Sequence, residues 1–164
     1  MKRIGFLVSL VMVVAAGCAP VISRKALEPV DKNLGFETLL ENPDRYAGKS
    51  VLLGGDIIET EPLPSKTCIV VLQRPLGSRA KPSKEKGSKG RFVVMAEGFL
   101  DPAIYRAGRQ VTLVGKVVGR EVRPLGQIQY GYPLVANIEL YLWPVEEAAK
   151  EWRFYIGASS VKVF

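Results

Sequence analysis

The stretch Pro43-Asp44-Arg45-Tyr46-Ala47-Gly48-Lys49-Ser50-Val51-Leu52-Leu53-Gly54-Gly55 returns further along the chain as Pro102-Ala103-Ile104-Tyr105-Arg106-Ala107-Gly108-Arg109-Gln110-Val111-Thr112-Leu113-Val114-Gly115. From Gly48 and Gly108 onward the copies align without a gap as Gly, basic, any, Val, any, Leu, any, Gly. The first Gly permits the positive φ of a tight turn, Val and Leu at alternate positions face one core, and the later Gly lets a strand coil sharply. The pattern reads as a turn feeding a curved strand, twice. Two copies are too few for a solenoid and fit a small closed barrel.

Working outward, Val51–Ile58, Thr67–Leu72, Phe92–Glu97, Val111–Val118 and Ile128–Leu142 are β-branched and aromatic runs bounded by Gly or Pro, and each predicts a strand. Pro133 has no amide donor, so the last run is expected to break or bulge there. Phe36, Leu39 and Leu40 stand at helical spacing, with Asn33 as the cap and Pro43 as the stop, and predict one short helix before the strands. The fold class expected is mainly β, an OB-like Greek-key barrel of five to six strands with one short N-terminal helix.

The chain has 164 residues, 48% hydrophobic and 24% charged, which suits one folded domain. Histidine is absent, removing the commonest general base and metal ligand. Two cysteines are too few for a disulfide framework or a Cys-built zinc site, so no metal and no cofactor is expected.

Lys2 and Arg3 precede an apolar run from Ile4 to Ala16, broken only by Gly5 and Ser9. This is a secretory signal peptide, too short to cross a bilayer as a helix. It ends Ala15-Ala16-Gly17-Cys18, which resembles the bacterial lipobox, with Ala15 where a large aliphatic residue is usual. The resemblance implies cleavage between Gly17 and Cys18 and a covalent N-acyl diacylglycerol on Cys18. The other reading is an ordinary A-x-A-type cleavage nearby, with Cys18 a free thiol. Ala19 stands where Asp marks inner-membrane retention in such lipoproteins, so the resemblance points to the periplasmic face of the outer membrane.

Without residues 1–17 the chain carries 21 basic and 16 acidic side chains. Arg79, Lys81, Lys84, Lys86, Lys89 and Arg91, against Glu85 alone, hold the whole excess. With Pro82, Gly87 and Gly90 among them, this segment reads as a flexible loop between strands. A solvated loop is the plain reading. The second is contact with an anionic lipid or glycan surface, since each Lys or Arg near anionic lipid contributes about 1 kcal/mol. Nucleic acid is not an expected partner of an exported chain, although Tyr130 and Tyr132 near Arg120 and Arg123 resemble a base-stacking surface.

No constellation points to catalysis. Cys68 lies in a strand-like apolar run with no histidine to activate it, and reads as packed. Ser83-Lys84-Glu85-Lys86 matches S-x-x-K but sits in the Gly/Lys loop, without the S-D-N and K-T-G partners. Asp56, Glu59, Glu61, Glu97 and Asp101 read as surface carboxylates rather than a glycosidase pair.

Gly17-Cys18, Pro43, Tyr46, Gly48, Gly54-Gly55, Gln73-Arg74-Pro75-Leu76, Gly90-Arg91-Phe92, Gly98-Phe99-Leu100-Asp101-Pro102, Tyr105, Gly108-Arg109, Val111-Thr112, Gly115, Gly126, Tyr132-Pro133 and Leu142-Trp143-Pro144 resemble, in this order, the Slp family of outer-membrane lipoproteins. The resemblance implies a starvation- or stress-associated envelope lipoprotein with no established enzymatic activity. The organisation expected is a signal peptide over 1–17, a tether over 18–34, the barrel over 35–145 and a C-terminal helix or tail over 146–164. The role expected is structural or interactive within the envelope, through outer-membrane lipid and envelope proteins. The alternative is a periplasmic binder of an anionic glycan or lipid head group through loop 79–91.

Overall fold

In a computed structural model, which describes residues 21–145, the two repeated segments form adjacent strands. Val51, Leu53 and Ile57 of one and Val111, Leu113 and Val117 of the other are buried in a single core. The strands are β1 (Ser50–Pro62), β2 (Lys66–Gln73), β3 (Arg91–Glu97), β4 (Gln110–Leu125) and β5 (Ile128–Leu142). They close into a barrel in the order β1-β2-β3-β5-β4, antiparallel throughout except for β3 against β5. This is the OB-like arrangement expected from the sequence.

The repeat is a local two-fold axis. Val51 pairs with Gly115, Leu53 with Leu113 and Gly55 with Val111, so each copy is the other's partner. The turn bonds repeat too: Gly48 N–H donates to Val117 O and Gly108 N–H to Ile57 O, both at 2.8 Å. Gly48 and Gly108 sit at φ 86° and 84°, in the left-handed region that favours glycine. At Gly55 and Gly115 the need is close approach. A Cβ on Gly55 would overlap the carbonyl oxygen of Leu72, and one on Gly115 would lie 2.7 Å from that of Ala136. Tyr46 and Tyr105 pack against the core from the turns that precede the two strands.

Two helices are added, α1 (Arg24–Leu27) and α2 (Phe36–Glu41). In α2 the cap is Gly35, not Asn33, and Pro43 opens a 3-10 turn over Pro43–Tyr46. Leu39 enters the core, and Phe36 meets Phe92 edge to face at 5.9 Å, so α2 packs against the core.

Two expectations about the strands change. β5 does not break at Pro133, which stands opposite Arg120. There β5 has only β4 as neighbour, since β3 joins from Leu134, and a proline is tolerated. The irregularities fall nearby instead, between Val117 and Gly119 of β4 and between the pairs Val114–Glu139 and Gly115–Asn137. β4 also runs on to Leu125, well past Val118, and with β5 makes a long hairpin turning at Gly126 and Gln127.

That hairpin lies over the outer face of β2 and β3. Tyr132 and Tyr130 pack with Cys68, Val70 and Val93, and the Tyr130 hydroxyl accepts from Arg91 N–H. Cys68 is accordingly buried. Arg123 bonds Glu121 at 2.8 Å and reaches Glu61 at 3.6 Å. Burial acts to lower the pKa of Arg123, but the hydrogen bond and charge of Glu121, with a smaller contribution from the neighbouring Cys68, outweigh it and hold the pKa above the ordinary arginine value.

Candidate functional site

The outer face of β1, β4 and β5, on the other side of the barrel, carries two coverings side by side. The first is the N-terminal segment. Ile22 and Ala26 are buried with Val114, against Leu52 and Tyr141, and Val30 bridges Ser50. Ser23 fastens its start, donating to the Glu139 carboxylate from N–H at 2.8 Å and from Oγ at 2.6 Å. Residues 21–34, within the stretch read as a tether, are therefore laid against the barrel.

The second covering is the loop between β2 and β3. Leu76 bridges Pro82, and a Cβ added at Gly54 would meet Leu76 and Pro82 side chains, so the loop lies directly on β1. Thr112 of β4 is fully buried beneath it. Its hydroxyl donates to Ala80 O at 2.7 Å and accepts from Trp143 Nε1 at 2.9 Å. Gln110 Nε2 donates to Pro82 O and to Asp56 Oδ1, and Asp56 takes Arg74 Nε at 2.8 Å. These bonds hold Arg79 and Ala80 at φ 53° and 59°, a left-handed pair strained for non-glycine residues. The first half of the loop is thus a fitted strap, not the flexible connector expected from its composition.

The six basic residues read as one site divide. Arg79, Lys84 and Lys86 are exposed. Lys81 is half-buried with Nζ 5.5 Å from the Trp143 ring centroid. Lys89 pairs with Glu37 at 2.9 Å. Arg91 is half-buried as the first residue of β3.

Two further cations, Arg106 and Arg109, join Lys81, Lys84 and Gln110 around an open cleft of about 590 Å³ between the loop and the turn before β4. Arg109 donates to Ile104 O at 3.2 Å and to Trp143 O at 2.8 Å, and its buried Nε has no hydrogen-bond partner among the described residues. Sequence reading passed over Arg109 as a site residue, although it is the basic residue of the repeat. Arg24 and Lys25, exposed on α1, were hidden inside the expected tether. Cys18, Gly17 and the expected C-terminal helix or tail over 146–164 lie outside the described residues.

Three of the five carboxylates considered for catalysis have structural partners: Asp56 in Arg74 and Gln110, Glu61 in Arg123, and Asp101 in Ala103 N–H. No group of metal-ligating side chains occurs among the described residues.

The model of the outer membrane lipoprotein Slp family matches residues 15–160. The chain belongs to this family. It is similar over 162 residues, at 26% identity, to the outer membrane protein Slp of Escherichia coli, covering 96% of this chain and 86% of that one. An uncharacterized protein of Haemophilus influenzae is 38% identical over 96 residues, 58% of this chain and 52% of that one. The uncharacterized lipoprotein YeaY of Escherichia coli is 31% identical over 94 residues, 57% and 48% respectively. The chain thus spans about half the length of these last two relatives. The match over most of the chain places it among lipid-anchored proteins of the outer membrane.

Proposed function

We propose that acyl chains on Cys18, added with cleavage after Gly17, hold the barrel at the periplasmic face of the outer membrane. There it serves as a structural or interaction module of the envelope under starvation or stress, with no reaction of its own. The supporting observation is that the family match begins at residue 15, taking in Ala15-Ala16-Gly17-Cys18, and continues through the whole barrel. Two or more acyl chains make such an anchor stable, since each buried CH₂ contributes about 0.8 kcal/mol. The test is replacement of the native protein by Cys18→Ser in cells under starvation or envelope stress. Loss of survival with the barrel still folded supports the reading, whereas full survival contradicts it.

A second reading is binding of an anionic glycan or lipid head group through the loop. The exposure of Arg79 and Lys84 on a strap fixed to the barrel, with Lys86 exposed just beyond it, favours it. Replacing Lys81, Lys84, Lys86 and Lys89 together by alanine is expected to weaken binding to anionic vesicles at low salt. Unchanged binding would contradict this reading.

A further inference from the structure

The distance from the anchor to the barrel is set by very few residues. Only Ala19 and Pro20 separate Cys18 from Val21, which already packs with Ile22 and Ala26 on the outer face of the barrel. Three Cα–Cα steps span at most about 11 Å. A wall attached by so short a connection cannot turn away from the surface that holds the cysteine.

We infer that the protein is oriented on the membrane: the wall made by residues 21–30 and the strap over 76–84 lies against the phospholipid head groups, and the β4–β5 hairpin faces the periplasm. The inference rests on acylation of Cys18. Charge agrees with the geometry. Arg24 and Lys25 on α1 and Arg79 and Lys84 on the strap are exposed on this wall, against Glu28, with Glu85 next to its edge. Anionic lipid favours such a cationic surface within a Debye length. The strap and the N-terminal segment are neighbours, because Leu52 and Val114 lie under the segment while Gly54 and Thr112, two residues away on the same strands, lie under the strap. The hairpin covers β2 and β3, across the barrel from the junction of β1 with β4. Arg79 and Lys84 then act as part of the membrane-facing wall, whereas Arg91 lies beside Tyr130 of the hairpin. The hairpin, with Val122 and Ile128 exposed, is the surface offered to periplasmic partners.

The test places one fluorescent reporter on each wall of the full acylated protein, through Glu28→Cys in one variant and Gln127→Cys in another. Both native residues are exposed, and Cys68, only 4% exposed, stays unlabelled in the folded protein. In phosphatidylethanolamine/phosphatidylglycerol vesicles carrying a head-group quencher, the reporter at 28 is expected to be quenched several-fold more than that at 127. Equal quenching, with acyl mass confirmed on the same sample, would overturn the orientation and leave the anchor standing. Absence of acyl mass would overturn the anchor and the orientation with it. A flexible Gly/Ser linker of about 15 residues between Pro20 and Val21, reaching roughly 20 Å, is expected to bring the two signals together. An unchanged difference would show that the short connection does not set the orientation, and would overturn the inference.

Discussion

Leu53 of β1 stands directly opposite Leu113 of β4, and the two leucines occupy the same place in the repeated segment. The axis between them carries Val51 onto Val111, Gly55 onto Gly115 and the Gly48 turn bond onto that of Gly108. The repetition is thus a device for closing the barrel: one turn-and-strand solution, used at both ends of one antiparallel pair.

The two glycines that both copies share answer different needs, and their substitutions separate accordingly. Gly48→Ala and Gly108→Ala, in open space at positive φ, are expected to cost about 1–2 kcal/mol each. Gly55→Ala and Gly115→Ala drive a Cβ into a neighbouring strand's backbone and should cost more than either. Urea unfolding of the four variants checks the order.

Trp143 ties the strap to the barrel through its bond to Thr112, its ring under Lys81 and its carbonyl accepting from Arg109. Trp143→Ala is expected to cost about 3–5 kcal/mol. Thr112→Val removes only the polar link to Ala80 and Trp143, at about 1–3 kcal/mol. In both, trypsin should cut after Arg79 under conditions where the native chain resists, as read by mass spectrometry of the digest.

Asp56 and Arg74 are mostly buried, with side chains 14% and 19% exposed, whereas Lys49 is well exposed in its 3.6 Å pair with Asp31. Asp56→Ala leaves Arg74 and Gln110 without their shared acceptor and is expected to destabilise by about 1–3 kcal/mol. Lys49→Ala should stay within about 0.5 kcal/mol. Thermal unfolding in parallel measures the contrast.

Glu139 accepts two bonds from Ser23, and the Ser23 hydroxyl in turn caps α1 by accepting from Ala26 N–H. Glu139→Ala should loosen residues 21–28 while the barrel stays intact. Hydrogen exchange would then show lost protection at Leu27 and Glu28, whose amides bond Ser23 O and Arg24 O, and no change at Val117 or Ile57.

What was legible in the sequence follows the reach of local signals. Strands with one buried face, such as Val51-Leu53 and Val111-Leu113, announce themselves by alternation, and the glycines of the repeat announce the turns and close crossings. The extension of β4 carries Arg120, Glu121, Arg123 and Pro124, whose polarity hides a strand that packs only against the hairpin and its neighbours. In the N-terminal segment Ile22, Ala26 and Val30 recur at intervals of four, but the run is short and holds Pro29, so its docking was not apparent. The basic loop was found from its charge. How its members divide was not, because Trp143 and Glu37, which engage Lys81 and Lys89, are distant in sequence and close only in the fold.

Intact mass of the mature protein floated with outer membranes decides whether Cys18 carries the lipid anchor. The expected result is a chain beginning at Cys18 and carrying acyl mass that Cys18→Ser lacks, with the serine variant leaving the membrane fraction. A soluble native chain without acyl mass would contradict it.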